Sequence, residues 1–251
     1  MNICFCSDEK LVEMLPVVIN SIASSNEKLI TIHYIHCIKN KYKLEKLQKF
    51  VNKFKHLRLI FYYKSWDYQY KGLTHVTNAT MLRLFIPEIL PCEKVIYLDI
   101  DLIVNIDLSF LYEIDCGITG IAIKNAHDQH WEKIHEDENL KWGNCGVIVM
   151  ELNMLRKNNF TQICLNIHSE YPDKHDQFII NKYANGKHSV LEPRFNVFWN
   201  KDDHILDSEK HFIFHFIGDI KPYYYDVGKF QYLWEKNKIK ENTFMKRLQF
   251  L

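Results

Sequence analysis

Glycine and proline are scarce in this chain, at 8 and 6 of 251 residues. That scarcity excludes a collagen-like, linker-rich or low-complexity polypeptide. Charge of one sign is missing as well: 32 Lys and Arg stand against 31 Asp and Glu, a formal net charge of +1. The whole chain therefore has no electrostatic footprint for nucleic acid. Seven cysteines, at positions 4, 6, 37, 92, 116, 145 and 164, include no CxxC pair. A zinc ribbon and a thioredoxin-type site are excluded with it. No apolar run reaches the ~18 residues that a membrane span requires. The opening residues, MNICFCSDEK, lack a basic region followed by an apolar stretch, so no secretory signal is expected. The thiols read as small buried hydrophobes in the reduced state, which implies a cytoplasmic or otherwise reducing location.

What is present is an ordinary globular composition, 47% hydrophobic and 25% charged. Length and the absence of a composition break imply a single domain over 1–251, the C-terminal ~25 residues forming a peripheral helical extension. Asn2 to Cys6 is a short apolar run in which Cys4 and Cys6 share one strand face. Leu11, Met14, Leu15, Val18, Ile19 and Ile22 follow at helical spacing, and Leu29 to Ile38 is a second apolar run. The lysine-rich segment 39–58 repeats Leu44, Leu47, Phe50, Val51, Phe54 and Leu57 as one apolar face. Such a basic amphipathic helix suits an anionic membrane surface, but its apolar face suits a sheet better. Leu59 to Tyr63 reads as a third strand. This alternation predicts a mainly parallel sheet with crossover helices, and ligands in such sheets bind beyond the carboxyl ends of the strands. Ser7-Asp8 is thus a candidate binding edge. A helix is predicted over 78–85, stopping before Pro87. Strands are expected at 118–123, 145–150 and 211–217, and helices near 153–169 and 175–184.

The most informative stretch is Lys94 to Val104, where Asp99 and Asp101 interrupt an apolar run with Ile100 between them. In an extended chain both carboxylates point to one side. Two carboxylates buried together call for a cation, and their oxygens suit Mg²⁺ or Mn²⁺. His215 lies in another apolar run, His211 to Gly218, where a lone histidine serves as a core residue more often than as a ligand. Gly218 permits close backbone approach, and Lys221 can meet a phosphate.

Six segments in order resemble glycosyltransferase family 8, the retaining group that includes glycogenin and bacterial lipopolysaccharide galactosyl- and glucosyltransferases. Val95-Ile-Tyr-Leu-Asp-Ile-Asp101 resembles the family's DxD strand. Phe5-Cys6-Ser-Asp8 is similar to its opening strand, whose Asp lies near the nucleotide base. His75 to Arg83 resembles the helix whose Arg contacts the donor sugar and diphosphate. Asn144-Cys145-Gly146 is similar to the Asn-Ala-Gly strand of the sugar pocket, and Asp176-Gln177 to the pair beside the anomeric carbon. His215 to Lys221 resembles the closing motif, in which the His completes the metal site while Gly and Lys hold the diphosphate. Cys145 stands where the family usually has Ala or Ser, Phe178 replaces a frequent second Asp, and Lys10 a frequent Asn.

The resemblance implies a GT-A fold, an α/β/α sandwich around a mainly parallel sheet, and transfer of glucose or galactose from a UDP-sugar to an acceptor hydroxyl. It implies Mn²⁺ or Mg²⁺ on Asp99, Asp101 and His215, and a nucleotide-sugar site that adds Cys6, Asp8, His75, Ile100, Asn144, Cys145, Gly218 and Lys221. The catalytic residues it implies are Arg83, Asp176 and Gln177. Since Gln177 is a poor nucleophile, retention by same-face attack is expected, with Asp176 gripping sugar hydroxyls. Asn125, His127 and Asp128 either line the acceptor side or form a solvated loop. Partners implied are the donor, an acceptor glycan, glycolipid, protein or free sugar, a weak membrane contact and a second copy of the chain. A UDP-sugar hydrolase and a nucleotide-sugar-binding protein would share the donor-site residues.

Overall fold

The computed structural model describes residues 1–65, 78–126, 141–198, 202 and 211–238. Its first apolar run forms β1 (Asn2–Ser7), and alternation along it builds two apolar layers at once. Ile3 and Phe5 enter one layer, Cys4 and Cys6 the other. All seven cysteines are free thiols.

Helix α1 (Leu15–Ser25) starts with a proline in its first turn, where the missing N–H is not needed. It packs Leu15, Val18, Ile19 and Ile22 into the first layer. β2 (Ile30–His36) is buried along nearly its whole length, as expected of a strand covered on both faces. The lysine-rich segment supplies α2 (Lys41–Val51), opened by the Asn40 side chain accepting from the Tyr42 N–H. Leu47, Phe50 and Val51 go into the first layer, so the apolar face is used on the sheet. β3 (Leu57–Tyr63) is an edge strand and only partly buried.

A 3₁₀ helix, Asn78–Phe85, leads into a single α turn, α3 (Ile86–Ile89). The helical path thus runs through Pro87 rather than stopping before it, because Pro87 falls in the first turn of α3, where proline is tolerated. The stretch 94–104 divides into β4 (Lys94–Leu98) and β5 (Leu102–Asn105). α4 (Ser109–Tyr112), β6 (Ile121–Asn125), β7 (Gly143–Glu151) and two helices follow, α5 (Leu152–Lys157) and α6 (Phe160–Glu170). The helix expected over 153–169 is broken at Asn159, whose φ of 54° is left-handed. α7 (Asp176–Ala184), β8 (Ser189–Val190), β9 (Val197–Phe198), β10 (Phe212–His215) and α8 (Gln231–Asn237) complete the order. The proposed C-terminal extension lies largely outside the described residues.

The large sheet has the order β3-β2-β1-β4-β7-β6-β8, and a three-stranded sheet the order β5-β10-β9. β1 pairs in parallel with both β2 and β4, while β7 runs antiparallel between β4 and β6. The chain leaves β1 in one direction across the sheet and reaches β4 on its other side. That reversal places a crevice at the carboxyl ends of β1 and β4. Asp8 follows the first of these ends and Asp99 the second.

Candidate active site

Between β4 and β5 the chain bends from the large sheet into the small one. The Asp99 N–H still donates to the Gly146 carbonyl of β7 at 2.8 Å, whereas the Asp101 carbonyl accepts from the Phe216 N–H at 3.0 Å, next to β10. Asp99 and Asp101 are therefore not strand neighbours in one extended segment. Their carboxylates converge because this bend turns both towards His215 at the end of β10. One ligand atom from each of Asp99, Asp101 and His215 lies within 4.8 Å of the others. His215 Nε2 stands 3.3 Å from Asp101 Oδ1 and 3.8 Å from Asp99 Oδ2. Asp101 and His215 are buried, Asp99 half-buried.

Two basic side chains enter the same cluster. Lys221 Nζ pairs with Asp101 Oδ2 and donates to the Phe216 carbonyl at 2.9 Å. Arg83 is almost fully enclosed, with its guanidinium 4.4 Å from the Tyr97 ring centre. It meets Asp99 at 3.0 Å, Asp176 at 2.7 Å and the Cys145 carbonyl at 2.6 Å. Arg83 thus locks two carboxylates and a strand to one another. Asp176, the first residue of α7, also accepts from Thr80 Oγ1 at 2.6 Å. Burial disfavours the charged forms of Asp101 and Asp176, but their partners outweigh it. Lys221 holds the Asp101 carboxyl below the usual range, and Arg83, with His175 and Thr80, lowers that of Asp176. The Tyr97 hydroxyl, pushed up by burial, stays protonated and donates to Asp99 Oδ1 at 2.6 Å.

Two amides along β7 have fixed orientations. Asn144 Oδ1 accepts from the Gly146 N–H at 2.9 Å, and Gln177 Oε1 from the Cys145 N–H at 3.0 Å. A main-chain N–H can only donate, so each amide oxygen is assigned and each NH₂ is turned away from that bond. Gly146 is forced by contact: an added Cβ would lie 2.1 Å from His215 Cε1. Gly218 is forced instead by its conformation, with a φ of 83°.

The other expected residues fall out unevenly. Asp8 Oδ1 closes the turn after β1 by accepting from the Lys10 and Leu11 N–H groups, at 2.9 and 3.3 Å. The side chains of Cys6, Ile100 and Cys145 are packed into the apolar layers. Asn125 Oδ1 bonds His188 Nε2 at 2.9 Å. His75, His127 and Asp128 lie outside the described residues. Sequence reasoning missed Thr80, Tyr97 and Asn196. The last is fully buried, 2.9 Å from His215 Nδ1. For Tyr97 a signal existed, since it stands two residues before Asp99 on the same strand face.

Comparison with known proteins gives the family and the fold. The profile described as "Glycosyl transferase family 8" matches residues 2–226. General stress protein A of Bacillus subtilis (strain 168) is 29% identical over 144 residues, covering 53% of this chain and 49% of that protein. Glycosyltransferase GlyE of Streptococcus pneumoniae serotype 4 is 27% identical over 178 residues, 64% of this chain and 41% of that protein. The matches thus span about half the length of these curated relatives or less. A crystal structure of the galactosyltransferase LgtC in complex with donor and acceptor sugar analogs superposes with a TM-score of 0.76. It covers 98% of this chain and 100% of that one at 19% identity, a likeness of fold. Over nearly all its length this chain belongs to glycosyl transferase family 8, and its α/β/α sandwich is the GT-A fold.

Proposed function

We propose that the chain is a retaining transferase that moves glucose or galactose from a UDP-sugar to an acceptor hydroxyl, with Mn²⁺ or Mg²⁺ on Asp99, Asp101 and His215. The observation that carries this reading is the convergence of those three side chains beside the crevice of the sheet. The donor set fits a divalent ion: two carboxylates and an imidazole suit Mn²⁺ and Mg²⁺. Charge points the same way. Three carboxylates, Asp99, Asp101 and Asp176, are met by two basic side chains, Arg83 and Lys221. Such an excess of buried negative charge is costly without a further cation.

Bound there, the ion supplies Lewis acidity towards the departing diphosphate. Lys221 adds positive charge beside the leaving group, as a preorganised site requires. Among the described residues the NH₂ groups of Asn144 and Gln177 meet no acceptor, which leaves them as donors for sugar or acceptor oxygens. Arg83 keeps Asp99 and Asp176 in place beside the donor site that its motif implies. Retention by same-face attack suits these residues better than a covalent intermediate. Gln177 is an amide, both Asp176 oxygens are held by Thr80 and Arg83, and Phe178 is apolar. A covalent route needs a carboxylate free to attack.

The test is UDP release from UDP-glucose and UDP-galactose, with Mn²⁺ and with EDTA, first without and then with simple sugar acceptors. Metal-dependent release from one donor, enhanced by an acceptor, is expected. Release that no acceptor accelerates would make the protein a UDP-sugar hydrolase. Donor binding without any release would make it a nucleotide-sugar-binding protein.

A further inference from the structure

Beneath His215 lies a chain of hydrogen bonds whose polarity can be read from one end to the other. It begins at the Gly146 N–H, a donor without alternative, which reaches Asn144 at 2.9 Å. The atom receiving it must be the Asn144 oxygen. That same oxygen lies 2.9 Å from the Asn196 amide, so the Asn196 atom facing it must be its NH₂ group. The opposite face of that amide, its oxygen, then meets His215 Nδ1 at 2.9 Å. An amide oxygen accepts, so Nδ1 must carry the proton. The remaining ring nitrogen, Nε2, is the one turned to Asp101 and Asp99, at 3.3 and 3.8 Å.

We infer that Asn196 is a positioning residue that fixes the proton of His215 on Nδ1 and so keeps Nε2 available as the ligand atom. The value of this assignment for catalysis rests on the metal reading above, but the tautomer itself does not. Asn196 is fully buried, and its backbone is pinned independently of its side chain. Lys124, at the bulge of β6, donates to the Asn196 carbonyl at 3.0 Å and pairs with Asp202. The arrangement is the one by which metal-binding histidines are held, the second ring nitrogen donating to an oxygen of the surrounding protein. Here that oxygen belongs to a neutral amide. It orients the ring without adding a fourth carboxylate to an already negative cluster. The Asn144-Cys145-Gly146 strand thereby has a second task. Besides facing the sugar pocket, it makes room for the imidazole through Gly146 and sets its proton through Asn144.

Two measurements test the inference. In the first, the full chain carries ¹⁵N-labelled histidine and is held metal-free at mildly alkaline pH, where imidazole is neutral. Long-range ¹H–¹⁵N spectra are expected to show His215 with a protonated Nδ1 and an unprotonated Nε2. A wild-type spectrum showing the proton on Nε2 overturns the assignment, whatever any variant does. In the second, Mn²⁺ affinity is measured by calorimetry for wild type, Asn196→Leu, His215→Ala and the double variant. Asn196→Leu is expected to weaken Mn²⁺ binding roughly 10- to 100-fold and to weaken it no further once His215 is gone. Equal losses in both backgrounds, or none in either, would overturn the positioning role. Should Asn196→Leu fail to fold, the wild-type spectrum still decides. Should wild type not bind Mn²⁺, the metal reading fails while the tautomer stands or falls on the spectrum.

Discussion

Towards the amino ends of β1 and β4, Asn2, His33, Tyr62 and Tyr112 form a closed set of neutral hydrogen bonds. His33 Nδ1 and Nε2 meet Tyr62 and Asn2 at 3.1 Å each, and Asn2 Nδ2 reaches the Tyr112 hydroxyl at 3.2 Å. Burial lowers the pKa of His33 and keeps the ring neutral. At the carboxyl ends of the same strands, Asp99, Asp101, Asp176, Arg83, Lys221 and His215 form a cluster rich in charge, in which three carboxylates meet two permanently cationic side chains and one imidazole. Both regions are polar networks in one sheet, the first only partly buried. The first satisfies its members with each other and needs nothing more, as structural polar groups do. The second retains uncompensated charge, which is a mark of a site awaiting a ligand.

Breaking the charged end should produce the largest effect. Asp101→Ala is expected to reduce Mn²⁺-supported UDP release to background, a loss on the order of 10²–10³-fold or more. Circular dichroism should show the fold largely retained, and full activity in this variant would remove the site assignment. The neutral end should respond in the opposite currency. Asn2→Ala leaves the buried His33 and the partly buried Tyr112 short of a hydrogen bond and is expected to lower stability by about 1–3 kcal/mol in urea unfolding. Turnover and Mn²⁺ affinity should stay at wild-type values; a change in either would mean that the two ends are coupled. The smallest effect, and the one that sharpens the contrast, concerns Lys221. Its ammonium lies on Asp101, where it competes with any other cation. Lys221→Met should therefore tighten Mn²⁺ binding a fewfold in the absence of nucleotide while raising KM for the donor. Unchanged affinity would show that the Lys221–Asp101 pair does not oppose the metal.

The amino-terminal half of this architecture was legible because its signals are local. Helix spacing in 15–22 and 44–51, and the short apolar runs between, follow from periodicity alone, although the same spacing also took in Leu11 and Met14, which precede α1, Phe54, which follows α2, and Leu57, which opens β3. Asp99 and Asp101 stood out because charge inside an apolar run is expensive. The reasoning that joined them was nevertheless incomplete: strand alternation does not aim the two carboxylates, a change of sheet at 99–101 does. Nothing near position 99 announces that its continuation pairs with residues 212–215. Asn196 was invisible for another reason. A neutral amide between Phe195 and Val197 looks like any loop residue, and its importance comes from what lies across the fold at residues 144 and 215. Asp176 shows the same limit from the other side. Its place in the motif was clear, but its enclosure by Arg83 and Thr80 required coordinates. The basic segment 39–58, by contrast, was settled by its apolar face, which now lies on the sheet.

The bend between β4 and β5 has a further mechanical meaning. Asp99 hangs from the last residue of a strand in the seven-stranded sheet, while Asp101 and His215 sit at the margins of the three-stranded one. An ion gripped by all three would act as a further rivet between two sheets that share no strand pairing. Any species that binds only the folded chain adds RT ln(1 + [L]/Kd) to its stability, about 2.7 kcal/mol at a hundredfold excess over Kd. Free Mn²⁺ would then be a variable of folding as much as of catalysis. The melting temperature should climb with its concentration, and chelation should first loosen the seam where the two sheets meet.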